Sequence, residues 1–226
     1  MSSVVVVVTV DGPSGVGKGT LCARLAEHYG YHFLDSGALY RVLGLAARQR
    51  GILDNPVALT DLARHLPVRF VEGKILLETQ DVSDTIRTET VAALASQVAV
   101  IETVRAALLA FQQDFAQAPG LVADGRDMGT VVFPQATAKL FLDASAEVRA
   151  YRRVKQLKNQ GLDANIDQIT KEIRERDERD RNRVVAPLKA ADDALVIDTS
   201  DLSPEQVFNQ AVAWIDQQQV SREFAV

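Results

Sequence analysis

The sequence predicts an α/β fold in which a parallel β-sheet lies between layers of helices. Three observations lead there: an apolar first strand, an alternation of strand-like and helix-like segments, and chemistry-bearing residues placed just after strand ends. Val4 to Val10 is an unbroken β-branched run, the pattern of a strand buried on both faces of a parallel sheet. Lys18 to Tyr29 then carries Leu21, Leu25, Ala26 and Tyr29 at helical spacing and stops at Gly30. Tyr31 to Leu34 reads as a short strand. Ser36 to Gln49, with Leu39, Val42, Leu43, Ala46 and Ala47, reads as the next helix, ended by Gly51. Further strands are expected at Leu121 to Ala123, Ala138 to Leu142 and Ala194 to Ile197. Ser203, Pro204 and Gln206 supply an N-cap, a first-turn proline and a capping-box partner for the last helix. Alternation of this kind favours a parallel sheet covered on both faces, with ligands at the carboxyl ends of its strands.

Two segments break the alternation. Val68 to Val82 reads as a small antiparallel meander turning at Glu72-Gly73. Arg149 to Arg183 is highly charged and long enough for two helices interrupted near Gly161. On the second, Ile166, Ile169 and Ile173 share a face that Arg176, Asp180 and Arg183 continue. Such a stripe should begin in the core and end at a cleft. Glu172–Arg176 and Asp177–Arg181 have the spacing of surface pairs, and Arg179 and Arg181 point away from the stripe.

With 226 residues, 47% hydrophobic and 24% charged, the chain has room for one well-cored domain plus insert material. A net charge of −5 gives no reason to expect a binder of duplex DNA, which usually shows a basic face, though it leaves room for a local arginine cluster. Cys22 is the sole cysteine, which excludes an internal disulfide and a cysteine metal cage; it reads as buried packing in a reducing cytoplasm. His28, His32 and His65 lack metal or acid–base spacing and read as structural. The apolar start has no basic segment before it, and no stretch approaches the ~18 apolar residues of a spanning helix. A soluble, cytoplasmic protein with no membrane or nucleic-acid partner is expected. Without an apolar heptad seam, a monomer is expected too.

Gly12-Pro13-Ser14-Gly15-Val16-Gly17-Lys18-Gly19-Thr20 lies between the first strand and first helix. Glycines let such a loop curl its N–H groups inward, and the helix start adds positive charge. These nine residues are the candidate ATP cradle. Lys18 suits the β- and γ-phosphates, and Thr20 is a candidate Mg²⁺ ligand. The general pattern has Ser or Thr directly after the lysine, whereas this chain has Gly19 and then Thr20. That variant resembles the phosphate loop of nucleoside and nucleotide kinases. The DxxG and NKxD motifs of regulatory GTPases are absent from the sequence, which argues against a nucleotide-dependent switch.

A kinase also needs a site for its acceptor, and arginine forks grip phosphate oxygens bidentately. Asp35-Ser36-Gly37 with Tyr40-Arg41, and Asp124-Gly125-Arg126-Asp127-Met128-Gly129, stand past strand ends. GPSGVGKGT, LDSGALYR (Leu34 to Arg41), ADGRDMGTVVFP (Ala123 to Pro134) and ERDERDRNRVVAPL (Glu175 to Leu188) resemble, in order along the chain, the blocks of bacterial cytidylate kinases. The resemblance implies a P-loop three-layer sandwich with a parallel sheet, a small monophosphate-binding insert and a helical lid. It places the core at approximately 1–62, 100–148 and 184–226, the insert at 63–99 and the lid at 149–183, all in a single kinase domain. It implies transfer of the γ-phosphoryl group of MgATP to CMP or dCMP; a kinase for UMP or another small acceptor is the alternative within the same fold.

Residue by residue, the resemblance implies that Arg41 and Arg126 grip the acceptor phosphate, with Ser36 nearby. Ser96 and Asp127 would contact the cytosine amino group, and Arg105 the ring nitrogen and carbonyl. Arg176, Asp180 and Arg183 would reach ribose hydroxyls and phosphates. Lys18, Arg126, Arg176 and Arg183 form the expected catalytic set. Asp124 is a candidate to act on Mg²⁺ through water, and Arg152, Arg153 and Lys155 are candidates to close on the ATP phosphates.

Overall fold

The computed structural model describes residues 5–71, 73–159 and 161–223. Its elements run β1 (Val6–Asp11), α1 (Lys18–Tyr29), β2 (His32–Asp35), α2 (Ser36–Gln49), α3 (Pro56–Arg64), β3 (Val68–Val71), β4 (Lys74–Leu77) and β5 (Gln80–Asp81). They continue with α4 (Glu89–Val98), α5 (Glu102–Gln113), β6 (Gly120–Gly125), β7 (Ala138–Asp143), α6 (Ala146–Asn159), α7 (Ile166–Arg181), β8 (Leu195–Asp198) and α8 (Pro204–Glu223). Val4 of the expected first strand and Glu72 of the expected turn lie outside the described residues. Two compact units result: Met1–Leu34 with Phe115–Val226, and Asp35–Asp114.

The first unit is built on a five-stranded sheet of order β2-β6-β1-β7-β8. β1 runs parallel to both β6 and β7, and β8 runs parallel to β7. The β-branched run makes β1 central because Val8 and Val10 can be buried on one face while Val7 and Thr9 are buried on the other. On the first face Val8, Val10, Val122, Leu140, Leu142 and Ile197 pack with Leu21, Cys22 and Leu25 of α1 and Val207, Ala211 and Ile215 of α8. Each such fully buried aliphatic side chain contributes about 1.5–3 kcal/mol. α1 stops where Gly30 takes a φ of 67° and returns its N–H to the last turn. α8 starts on the expected reciprocal cap: Ser203 N donates to Gln206 Oε1 at 2.8 Å and Gln206 N to Ser203 Oγ at 3.2 Å.

The charged segment forms two helices, α6 and α7, with Gly161 between them at a φ of 73°. Two expectations about α7 need correction. Ile166 is 44% exposed, and Ile169 and Ile173 are only half-buried; the stripe is instead deepest at Asp180, 2% exposed. The physical reason is that α7 packs along α6, so its start has no core to enter. The expected Asp177–Arg181 pair is also replaced. Asp177 binds Arg149 of α6, and Arg181 reaches Asp143 at the end of β7.

The second unit carries α2, α3, α4 and α5 with the antiparallel sheet β3-β4-β5. Val68 pairs with Leu77 and Val71 with Lys74, then Leu76 with Asp81, which realises the expected meander. Asp35 caps α2 by accepting from Ala38 N, and Asn55 and Thr88 cap α3 and α4 in the same way. Segment 63–99 therefore shares its unit with α2, α3 and α5. Among the described residues no single helix is long and apolar enough to cross a membrane.

Candidate active site

The loop after β1 turns on positive φ angles at Gly12, Gly15 and Gly17. Gly12 is the strictest of these: a Cβ there would lie 2.1 Å from the Leu142 carbonyl oxygen, at a φ of +147°. Only glycine lets the loop leave β1 so close to β7. Lys18, the first residue of α1, folds its side chain back so that Nζ donates to Pro13 O at 2.8 Å. Nζ also lies 3.8 Å from Oδ1 of Asp124 at the end of β6. Burial pushes the Lys18 ammonium down to about 8, and the cations Arg126 and Arg176 add to the shift against the pull of Asp124 and Cys22. A buried, under-neutralised cation at a helix start is a site prepared for an anion.

Arg126, directly after β6, donates from Nε to Asp180 Oδ2 at 3.1 Å and from Nη1 to Gly125 O at 3.3 Å. Arg183 binds the other oxygen of Asp180. Burial alone would raise the Asp180 carboxyl, but Arg126, Arg183 and Arg176 outweigh it and hold the group below its ordinary value. Leu188 N donates to Asp180 O at 2.9 Å, which anchors the APL segment to the end of α7. Arg126, Asp180 and Arg183 are thus brought together, with Arg176 close enough to act on both Lys18 and Asp180. Asp127 is buried beside Arg126.

In the second unit Ser36 Oγ donates to Gln112 Oε1 at 2.6 Å, both residues buried. Arg41 donates to Ile86 O at 2.7 Å. Arg105 is 8% exposed, with Nη1 on Ala99 O at 3.3 Å and its guanidinium 5.7 Å from the Tyr40 ring centre. Ser96 lies buried on α4.

Two further residues carry weight that the sequence did not signal. Arg149, 2% exposed, was visible only as part of a charged run. Its Nε donates to Ala144 O at 3.0 Å, its Nη1 to Ser14 O at 3.1 Å, and its fork holds Asp177. It therefore ties the phosphate loop to both α6 and α7. Gln112 buttresses Ser36 from an apparently plain helix. Arg152 instead turns to Thr199 and Ser200 after β8, and Arg153 pairs with Gln156; Lys155 is exposed. Cys22 is buried and in no disulfide, His28 packs edge-on to Tyr29 and Phe208, and His32 bonds Ala118 O.

Thr20 is exposed in the first turn of α1, and Asp124 stands over Gly19, whose Cβ would lie 3.8 Å from Oδ2. Among the described residues no group of three or more His, Cys, Asp or Glu side chains gathers to hold a metal. Mg²⁺ in phosphate-binding sites takes one or two protein oxygens and completes its shell with waters and phosphates, so this sparse donor set fits it.

A family model described as cytidylate kinase matches residues 8–217. Cytidylate kinase 1 of Haemophilus influenzae is 60% identical over 223 residues, 96% of each chain. The cytidylate kinase of Photobacterium profundum is 58% identical over 222 residues, 96% of this chain and 97% of that one. Among solved structures, a gluconokinase from Sinorhizobium meliloti shares the fold, with a TM-score of 0.51 at 16% identity over 98% of each chain. With its phosphate loop, its arginine cluster and nearly its whole length aligned to these relatives, the chain belongs to the cytidylate kinase family.

Proposed function

We propose that this chain transfers the γ-phosphoryl group of MgATP to a phosphate oxygen of CMP or dCMP, giving CDP or dCDP and ADP. The observation that carries the reading is the placement of a buried, under-neutralised Lys18 in the same unit as the Arg126–Asp180–Arg183 cluster. Such a set of cations has the charge a transferring phosphoryl group requires.

The loop from Gly12 to Thr20 holds the ATP phosphates, with Lys18 on the β- and γ-oxygens. Thr20, and Asp124 through water, would hold Mg²⁺, which neutralises charge on the phosphates when bound. Arg41 and Arg126 grip the acceptor phosphate, with Ser36 beside it, and Arg176, Asp180 and Arg183 bind ribose and phosphate groups. The acceptor oxygen is already anionic, so no strong general base is needed; positioning and charge neutralisation suffice. Segment 149–183 acts as a lid that excludes water, so that ATP is not simply hydrolysed. Cytosine offers an amino donor and a ring acceptor where uracil offers a carbonyl and an N–H. An acidic acceptor, Asp127 with Ser96, and an arginine donor, Arg105, therefore favour cytosine. The same reading has a monomeric enzyme in the cytoplasm, in keeping with a sole cysteine that is buried and in no disulfide.

The test offers CMP, dCMP, UMP, AMP and GMP separately with MgATP and follows ADP release. CMP and dCMP are expected to lead, with the preference over UMP reduced about tenfold or more by Asp127→Ala or Arg105→Ala. Equal rates with CMP and UMP in the unmodified protein would remove the base assignment. Acceleration by none of the five would remove the kinase reading.

A further inference from the structure

We propose that Asp11 is a positioning residue for the acceptor, fixing Arg126 and Asp127 against the phosphate loop through the turn that follows them. This rests on the acceptor roles just proposed for Arg126 and Asp127. Asp11 is the last residue of β1 and immediately precedes Gly12. In register it faces Gly125 of β6 and Phe141 of β7, and it is 4% exposed. Each carboxylate oxygen accepts one main-chain N–H: Oδ1 from Met128 and Oδ2 from Gly129, both at 2.8 Å.

Those two N–H groups open a π-helical turn over Met128–Val132, and the first N–H groups of any helical turn need acceptors from elsewhere. Asp127 stands at the cap position but makes no side-chain cap bond; Asp11 supplies that cap from a different strand. The turn has no slack. A Cβ on Gly129 would lie 2.8 Å from Thr9 Oγ1 and 3.2 Å from the Lys139 side chain. One carboxylate thus registers the start of the donor loop against the residues that hold the acceptor.

The charge environment supports a role beyond packing. Burial pushes Asp11 up to about 7; the Gly129 and Met128 N–H groups and Lys18 pull against this, while Asp127 adds to it. The two main-chain N–H groups are both served only while the two oxygens act as acceptors, which the ionised form does in full.

The experiment compares the unmodified protein with Asp11→Asn, which keeps the shape but turns one acceptor into a donor facing a main-chain N–H. Turnover of CMP, ATP affinity by equilibrium titration and melting temperature are measured on each. The expected result is a fall of about 100-fold in kcat/KM for CMP, with the dissociation constant for ATP held within about twofold. Unchanged CMP kinetics, or equal losses for CMP and ATP, would overturn the proposal. Should Asp11→Asn not fold, Asp11→Ser, smaller but still an acceptor, takes its place with the same readouts. Failure of both to fold also overturns it, because the carboxylate is then a requirement of the fold alone. If the unmodified protein itself does not phosphorylate CMP, it is the proposed function that fails.

Discussion

Replacing Lys18 by Met is expected to lower kcat by about 1,000-fold, the upper range for losing one preorganised charge at a transition state, without unfolding the protein. Methionine keeps an unbranched apolar stem of similar length and removes only the ammonium. The sign of the stability effect follows from the displaced titration. Lys18 titrates near 8 in the fold against 10.5 as the ordinary value, because burial and the cations Arg126 and Arg176 disfavour its charge. Between those values the unfolded chain binds the proton that the folded chain has lost, so stability rises with pH. The contribution is complete above 10.5 and is lost as pH falls through about 8. Lys18→Met should therefore be no less stable than the parent at pH 7 and should lack its rise in the alkaline window. Melting curves across pH 7 to 11, set beside turnover at pH 7, check both halves. A variant that loses activity only by unfolding would contradict the assignment.

Asp180→Ala should cost about 3–5 kcal/mol of stability, the usual result of removing one partner from a buried ion pair. Asp180 is 2% exposed and binds Arg126 through one oxygen and Arg183 through the other. Without it two guanidinium groups face each other across the vacated space. The arginines hold the carboxyl below its ordinary 3.8 despite burial. Its contribution is thus complete above that value and is lost as pH falls through the lower folded value. Urea denaturation at pH 7 should show the full difference between parent and variant, and acidification below about 4 should shrink it. Loss of CMP turnover should accompany the change, since Arg126 loses the contact that fixes its Nε. A difference that stays constant into acid would show that lost packing, and not charge, sets the effect.

The parts of this site legible in the sequence are those whose meaning is local. The loop from Gly12 to Thr20 declares itself because a strand, a glycine turn and a helix start are adjacent in the chain, and the structure adds only why Gly12 must be glycine. The Arg176–Asp180–Arg183 stripe was legible because helical periodicity fixes a shared face. Periodicity is silent, however, on which neighbour that face meets, and so Ile166 was expected in a core it does not enter. Asp11 and Arg149 were opaque for another reason. Each acts on main-chain atoms far away in sequence: Asp11 on N–H groups 117 and 118 positions on, Arg149 on a carbonyl 135 positions back. Main-chain groups are the same in every residue, so no side-chain pattern marks them as partners. Ser36 and Gln112, 76 positions apart, repeat the point on helices whose spacing shows nothing but amphipathicity.

The most direct measurement is the fate of a label carried in the γ-phosphate of ATP, in the presence of Mg²⁺ and CMP. The account predicts that the label appears as the β-phosphate of CDP in step with ADP release, with little inorganic phosphate formed. Label recovered mainly as inorganic phosphate, with CMP unchanged, would contradict it.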